Sequence, residues 1–312
     1  MSLIEKAVNK LGGGSEPPKS PDATEVVEAT PVAPNLIEQA LEKNAAPALS
    51  RPEVPATAAA QPAAGMNSVN VNLARLKAGG FVTPEAERTE IAEEFRLIKR
   101  PLLTNAFGQG ADAVPRGNMI MVTSSLPGEG KTFCTINLAL SIAMEMDRTV
   151  LLVDADVAKP KLLQYLGVRA EKGLLDVLRG DSVTLPDALL RTNIEKLTLL
   201  PPGKAYKHAT ELLASDAMNS LIEDLASRYS DRIVIFDSPP LLATSEASVL
   251  ASHMGQIVMV VEADRTPQAA VREALGQIED SGAVISMLLN KVTGPKGATG
   301  GYYGYGYGKY GT

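Results

Sequence analysis

Apolar residues in the second two-thirds of the chain come in short unbroken runs, not in alternation. NMIMVTS (118–124), TVLLVDAD (149–156), KLTLLPPG (196–203), RIVIFDSPP (232–240), QIVMVVEAD (256–264) and AVISMLLNKV (283–292) each contain a stretch of strand length. A strand with one wet face alternates polar and apolar positions, so a run that is apolar throughout belongs to a strand covered on both sides. Between the runs lie segments of helical periodicity: Lys131 to Met146, Ala209 to Arg228, and residues around 244–252 and 267–280. Strands alternating with helices predict one α/β domain with a mostly parallel sheet and helices on both faces. Thr83-Pro84 reads as an N-cap followed by a proline at the first helical position, and it predicts a helix of about 20 residues through EAERTEIAEEFRLIKRPLL.

Ahead of that helix the pattern is lost. Residues 1–82 include SEPPKSPDATEVVEATPVAPN and RPEVPATAAAQPAAG, sequences too poor in large apolar side chains to offset the entropy of ordering, and a disordered region is expected. Within it SLIEKAVNK (2–10) recurs as NLIEQALEK (35–43). Each copy opens on an N-cap residue, Ser2 or Asn35, and each spaces its apolar residues for one helical face. The repeat is either a coincidence of an Ala/Glu/Lys-rich composition or a pair of docking helices. At the other end, residues 293–312 close on GGYYGYGYGKYGT, which carries five of the eight tyrosines: Tyr302, Tyr303, Tyr305, Tyr307 and Tyr310. Alternating glycines can neither hold a helix nor pack a core.

Composition narrows the chemistry. A net charge of −6 over 312 residues gives no reason to expect a nucleic-acid partner. One cysteine, Cys134, and two histidines, His208 and His253, cannot build a disulfide framework or a Cys/His zinc cluster, and they suit a reducing cytosol. Cys134 reads as a small buried hydrophobe. The first ten residues mix charges without an apolar run, so no signal peptide is expected there, and no stretch of about 18 apolar residues predicts a membrane span.

SSLPGEGKTF (124–133) follows a buried strand and opens a helix, the setting of a phosphate-binding loop, with Ser125 in place of the usual first glycine. Gly128, Glu129, Gly130, Lys131, Thr132 and Phe133 are the expected cradle. The glycines let backbone amides turn toward phosphate oxygens, and the helix start adds partial positive charge. Lys131 would neutralise the β- and γ-phosphates of ATP, and the Thr132 hydroxyl would ligate Mg²⁺. Two further strands end on carboxylates, Asp154 and Asp156 in LLVDAD and Asp237 in IVIFDSPP. Strand carboxyl ends face the ligand crevice in such sheets. Three carboxylates exceed the need of one Mg²⁺: two can organise the metal's water shell, Asp237 among them, and one can accept a proton from an incoming nucleophile, or the Asp154/Asp156 pair could instead cap the next helix.

Taken together, PGEGKT, the apolar-Asp-Ala-Asp followed by KPKL, and FDSPP resemble the bacterial tyrosine kinases, P-loop autokinases of polysaccharide export. The resemblance is strongest to the stand-alone autokinases of exosortase-type exopolysaccharide loci. It spans residues 83–312 and includes GLLDVLRG (173–180), LPPG (200–203), ELLAS (211–215) and the tyrosine cluster. It implies a P-loop kinase domain over 83–292, strand-end aspartates that serve Mg²⁺ and activate a tyrosine hydroxyl, and an autophosphorylated tail over 293–312. It also implies a ring of subunits joined through Glu93, Arg96 and Lys99 of EEFRLIK, a membrane-embedded co-polymerase that activates and recruits the cytoplasmic chain, and a phosphotyrosine phosphatase. Asn290 sits where related ATPases place a base-reading amide, or is an ordinary strand-end residue. Two positions depart from the family pattern: Ala158 stands where Arg is frequent, and Lys99 replaces an Arg, losing its planar fork. The rival class, a ParA/MinD-type partitioning ATPase, carries a lysine where this chain has Leu126 and has no use for a tyrosine tail. An inactive scaffold fits poorly with an intact Lys131, Thr132 and Asp237.

Overall fold

The computed structural model describes residues 67–84, 89–108, 114–180, 182–228 and 231–293. Its centre is an eight-stranded sheet. The strands are β1 (Asn67–Val69), β2 (Met119–Ser124), β3 (Thr149–Asp154), β4 (Leu190–Thr192), β5 (Leu197–Leu200), β6 (Arg232–Asp237), β7 (Gln256–Glu262) and β8 (Val284–Asn290). They lie in the order β1-β4-β5-β3-β6-β2-β7-β8, and every pairing is parallel except β4 with β5. The six long runs of the sequence are all strands, as their apolar pattern predicts.

Side chains of the central strands divide by parity between two cores. Met119, Met121, Leu151, Val153, Val234 and Phe236 pack on one face, while Ile120, Val122, Val150, Leu152, Ile233 and Ile235 pack on the other. Both faces are therefore dry, which is why these strands show no alternation in the sequence. One face is covered by α1 (Leu73–Ala78), α2 (Glu90–Phe107) and α3 (Lys131–Ala143). The other receives α5 (Leu174–Arg179), α7 (Ala209–Leu213), α8 (Asp216–Arg228), α9 (Glu246–Ala251) and α10 (Gln268–Gly276). Two short helices, α4 (Leu162–Leu166) and α6 (Leu185–Ala188), complete the set. The GLLDVLRG and LPPG segments meet directly: the Leu174 and Leu175 amides donate to the Pro201 and Pro202 carbonyls at 2.8 and 3.0 Å.

Three expectations need correction. Order begins before residue 83. β1 pairs with β4, the Asn193 side chain accepts from the Val71 amide at 2.7 Å, and the Asn137 side chain accepts from the Val82 amide at 2.7 Å. These elements are held by partners more than 50 residues away, so local composition does not reveal them. The long helix starts at Glu90, where the Thr89 hydroxyl accepts from the Ala92 amide at 3.3 Å, with Glu90 and Glu93 favourably placed in the first turn. Finally, the segment 209–228 is two helices, broken at Ala214–Ser215.

Candidate functional site

β2, β6 and β3 lie side by side, and their carboxyl ends build the site. β2 leads into the glycine loop, where Gly128 and Gly130 take φ of +93° and +98°, conformations a side chain resists. The loop then opens α3 at Lys131. β6 ends on Asp237 and β3 on Asp154, which are direct partners in the parallel register. The chain after β6 folds back on the loop entrance, with Leu241 N–H donating to Ser124 O at 2.8 Å. Lys131, Thr132, Asp154, Asp156 and Asp237 are thus brought together from three elements, as expected from their strand-end positions.

Electrostatics at this point are severe. Asp154 and Asp237 are both inaccessible to solvent. Both oxygens of Asp154 and Oδ2 of Asp237 have no hydrogen-bond partner among the described residues, while Oδ1 of Asp237 accepts from Thr135 at 3.0 Å. Burial, then the neighbouring Asp237 and Asp156, push the Asp154 carboxyl up to about 8. Burial also lifts Asp237, to about 6, against the pull of Lys131 and the Thr132 and Thr135 hydroxyls. The Lys131 ammonium lies 2.7 Å from Asp156 Oδ2. Burial alone would depress its pKa, but Asp237 and Asp156 outweigh that and raise it, so Lys131 stays charged. Asp156 also accepts from the Lys159 amide at 3.0 Å, a turn contact ahead of the next helix; that helix starts at Leu162 after Lys161 and has no side-chain cap, so Asp156 does not cap it.

Unpartnered carboxylate oxygens packed this closely call for a cation. No group of three or more His, Cys, Asp or Glu among the described residues forms a closed metal cage. Mg²⁺ does not need one, because it keeps several waters and binds through one or two carboxylates plus substrate phosphates. The residues present fit it.

The rest of the cradle has unexpected tasks. The Glu129 side chain accepts from the Leu126 amide at 2.6 Å and from the Thr266 hydroxyl, so it braces the loop. The Phe133 ring packs on Phe81 with centroids 4.8 Å apart. Asn290 donates to the Glu129 carbonyl at 2.8 Å. Cys134 is buried, and its thiol is pushed up to about 12 by that burial, as expected of a small hydrophobe.

Comparison with known proteins agrees with this geometry. The AAA domain family model matches residues 117–285, more than half of the chain. Tyrosine-protein kinase CpsD of Streptococcus agalactiae is 31% identical over 224 residues, 71% of this chain and 92% of that protein. The chain belongs to the bacterial tyrosine-protein kinases. The chimerical protein CapA2B2, a solved structure, superposes with a TM-score of 0.59 at 27% identity, covering 74% of this chain and 95% of that one. The putative tyrosine-protein kinase EpsB of Ralstonia nicotianae is 33% identical over 195 residues, 62% of this chain. The chain spans about a quarter of EpsB's length.

Within this tyrosine-kinase fold, the helix expected at a subunit contact divides its residues. Glu93 is exposed, Arg96 is half-buried, and the two pair at 2.6 Å. Within this chain Lys99 is turned inward, donating to the Ser141 carbonyl at 2.6 Å and pairing with Glu145 at 2.6 Å. The buried stripe of α2 is Ala92, Phe95, Lys99 and Leu102, a helical repeat on which Lys99 falls. Its charge meets the carbonyl end of α3, where a cation is favoured. The tyrosines at 302, 303, 305, 307 and 310 and the repeats at 2–10 and 35–43 lie outside the described residues. No helix among the described residues is long and apolar enough to cross a membrane.

Proposed function

We propose that the chain is an ATP- and Mg²⁺-dependent protein-tyrosine autokinase that phosphorylates the C-terminal tyrosines of a neighbouring copy. One observation carries the reading. Two strand-end carboxylates with unpartnered, solvent-inaccessible oxygens lie beside a charged loop lysine, in a chain whose end offers five tyrosines. Thr132, Asp156 and Asp237 would hold Mg²⁺, which neutralises the γ-phosphate. Lys131 would exchange its contact with Asp156 for the phosphate oxygens. A tyrosine hydroxyl, with a pKa near ~10, needs a base, and Asp154 would take that role in its ionised form, its unpartnered oxygens free to accept the proton. Each of the five tyrosines has a glycine on at least one side, a residue that leaves the backbone free of Cβ restriction.

By resemblance to its family, the kinase would form a ring, respond to a membrane-embedded polysaccharide co-polymerase that recruits it to the inner membrane face, and be reset by a phosphotyrosine phosphatase. Its cycle would regulate exopolysaccharide polymerisation and export. Incubation of the purified chain with ATP and Mg²⁺, followed by peptide mass spectrometry, tests the reading. Phosphate on tyrosines between 302 and 310 is expected. ATP hydrolysis with no phosphotyrosine would instead favour a ParA/MinD-like switch.

A further inference from the structure

The last described strand grips the phosphate loop. Asn290, at the end of β8, donates from Nδ2 to the Glu129 carbonyl at 2.8 Å, and Lys291 donates from Nζ to the Gly128 carbonyl at 2.7 Å. These are consecutive carbonyls of one loop, held by consecutive residues more than 160 positions away. The approach is close: a Cβ at position 130 would collide with the Asn290 amide nitrogen, so Gly130 is required by this contact as well as by its φ. Lys291 itself sits at φ +56°, the left-handed region, a strained conformation for a residue with a Cβ. Its ammonium is steadied from behind by Glu262 Oε2 at 3.0 Å. The Glu262 amide donates to the Thr266 hydroxyl at 3.2 Å, and that hydroxyl donates to Glu129, closing a circuit from the loop through β7 and β8 and back.

The consequence follows from peptide geometry. In a trans peptide the N–H points opposite to the C=O of the same unit. Holding the Gly128 and Glu129 carbonyls toward β8 therefore aims the Glu129 and Gly130 amides the other way, into the concavity that receives phosphate. We propose that Lys291 and Asn290 are positioning residues of the nucleotide-phosphate site, which fix two loop peptide planes with their amides toward the anion. Lys291 acts here through the loop backbone and does not itself touch the nucleotide. The assignment rests on reading the glycine loop as a nucleotide site, and it is independent of whether tyrosine is the final acceptor. It also gives Asn290 a task at the phosphates in place of reading the base.

The test uses the full chain with Mg²⁺, titrated calorimetrically with ADP and GDP and by competition with inorganic diphosphate. Lys291→Asn removes the ammonium's reach while keeping a residue that tolerates the left-handed backbone, and Lys291→Arg restores a donor. Lys291→Asn and Asn290→Ala should each weaken ADP, GDP and diphosphate by a common factor of about five to ten, with the ADP-to-GDP preference unchanged. Lys291→Arg should stay within about twofold of wild type, and amide exchange of the 126–131 peptide in the ADP complex should quicken only in the two weakened variants. Unchanged diphosphate affinity in Lys291→Asn and Asn290→Ala, a shift in base preference, or failure of Lys291→Arg to restore binding would each overturn the assignment. A wild-type chain that binds ADP but forms no phosphotyrosine would instead count against the kinase and leave this role standing.

Discussion

Asp154 concentrates the strain of the site in one residue. Its carboxyl, ordinarily at 3.8, is held at about 8 by burial and by Asp237. Between those values the unfolded chain has lost that proton while the folded chain keeps it. The folded state therefore binds more protons, and stability falls as pH rises through this window, levelling off above about pH 8. Asp237 contributes in the same sense up to about pH 6. In nucleotide-free, metal-free protein, the melting temperature should decline from pH 5 to pH 8. Asp154→Asn should flatten the upper part of that decline and melt several degrees above wild type at pH 8, taking about 2–4 °C per kcal/mol recovered. It should also abolish autophosphorylation, because an amide cannot accept the tyrosine proton. Parallel pH slopes in the two proteins would refute this account of Asp154. The meeting of the candidate residues at one end of the sheet was legible because a glycine loop between strand and helix, and aspartates ending neighbouring strands, share the carboxyl edge of a parallel sheet. The roles of Glu129 and Lys291 were not, since an acidic residue in a turn and an exposed lysine after a strand are common, and only their long-range partners distinguish them.

At the scale of elements, strands announced themselves by unbroken apolar runs, whereas β1, α1 and β4 did not. A three-residue strand shows no period, and β1 exists because β4 and Asn193 receive it. α2 teaches a different lesson. Its stripe Ala92, Phe95, Lys99, Leu102 is visible in the sequence as a three-four-three spacing, and that spacing places Lys99 inside. Motif analogy pointed outward, while periodicity pointed inward to the Ser141 carbonyl. Lys99→Ala should cost about 1–3 kcal/mol by stranding that carbonyl, lowering the melting temperature without changing the oligomeric mass. Arg96→Ala, at a half-buried surface position, should leave thermal stability within about 0.5 kcal/mol and shift sedimentation toward smaller species if α2 joins subunits. Thermal melts and sedimentation velocity on both variants separate the two roles, and a lighter particle from Lys99→Ala at unchanged stability would return that residue to the interface.

At the scale of the whole chain, the described sheet is preceded and followed in sequence by two segments of different composition. The N-terminal pair, SLIEKAVNK and NLIEQALEK, repeats one apolar spacing on either side of a Pro-rich spacer. Two weak sites so linked can exceed either affinity by about 10²–10⁴-fold when one oligomeric partner binds both. If the repeat docks the chain on a membrane partner, Leu3, Ile4, Leu36 and Ile37 replaced together by Ser should lower its co-fractionation with membranes in cells while leaving autophosphorylation of the purified chain unchanged; unchanged co-fractionation would reduce the repeat to a coincidence of composition. At the other end, the 17 residue steps from Thr293 to Tyr310 span at most roughly 60 Å, ample for reaching a neighbour. Transfer between copies is the central claim, and one mixing experiment addresses it directly. A chain with Lys131→Ala keeps its tyrosines but loses the phosphate clamp, which should slow its own chemistry by about 10²–10³-fold. A second chain keeps Lys131 and has Tyr302, Tyr303, Tyr305, Tyr307 and Tyr310 replaced by Phe. Incubated separately with ATP and Mg²⁺, neither should gain tail phosphate. Mixed, the Lys131→Ala chain should acquire phosphotyrosine between residues 302 and 310, read by intact-mass spectrometry, and a mixture in which its mass does not change would contradict the account.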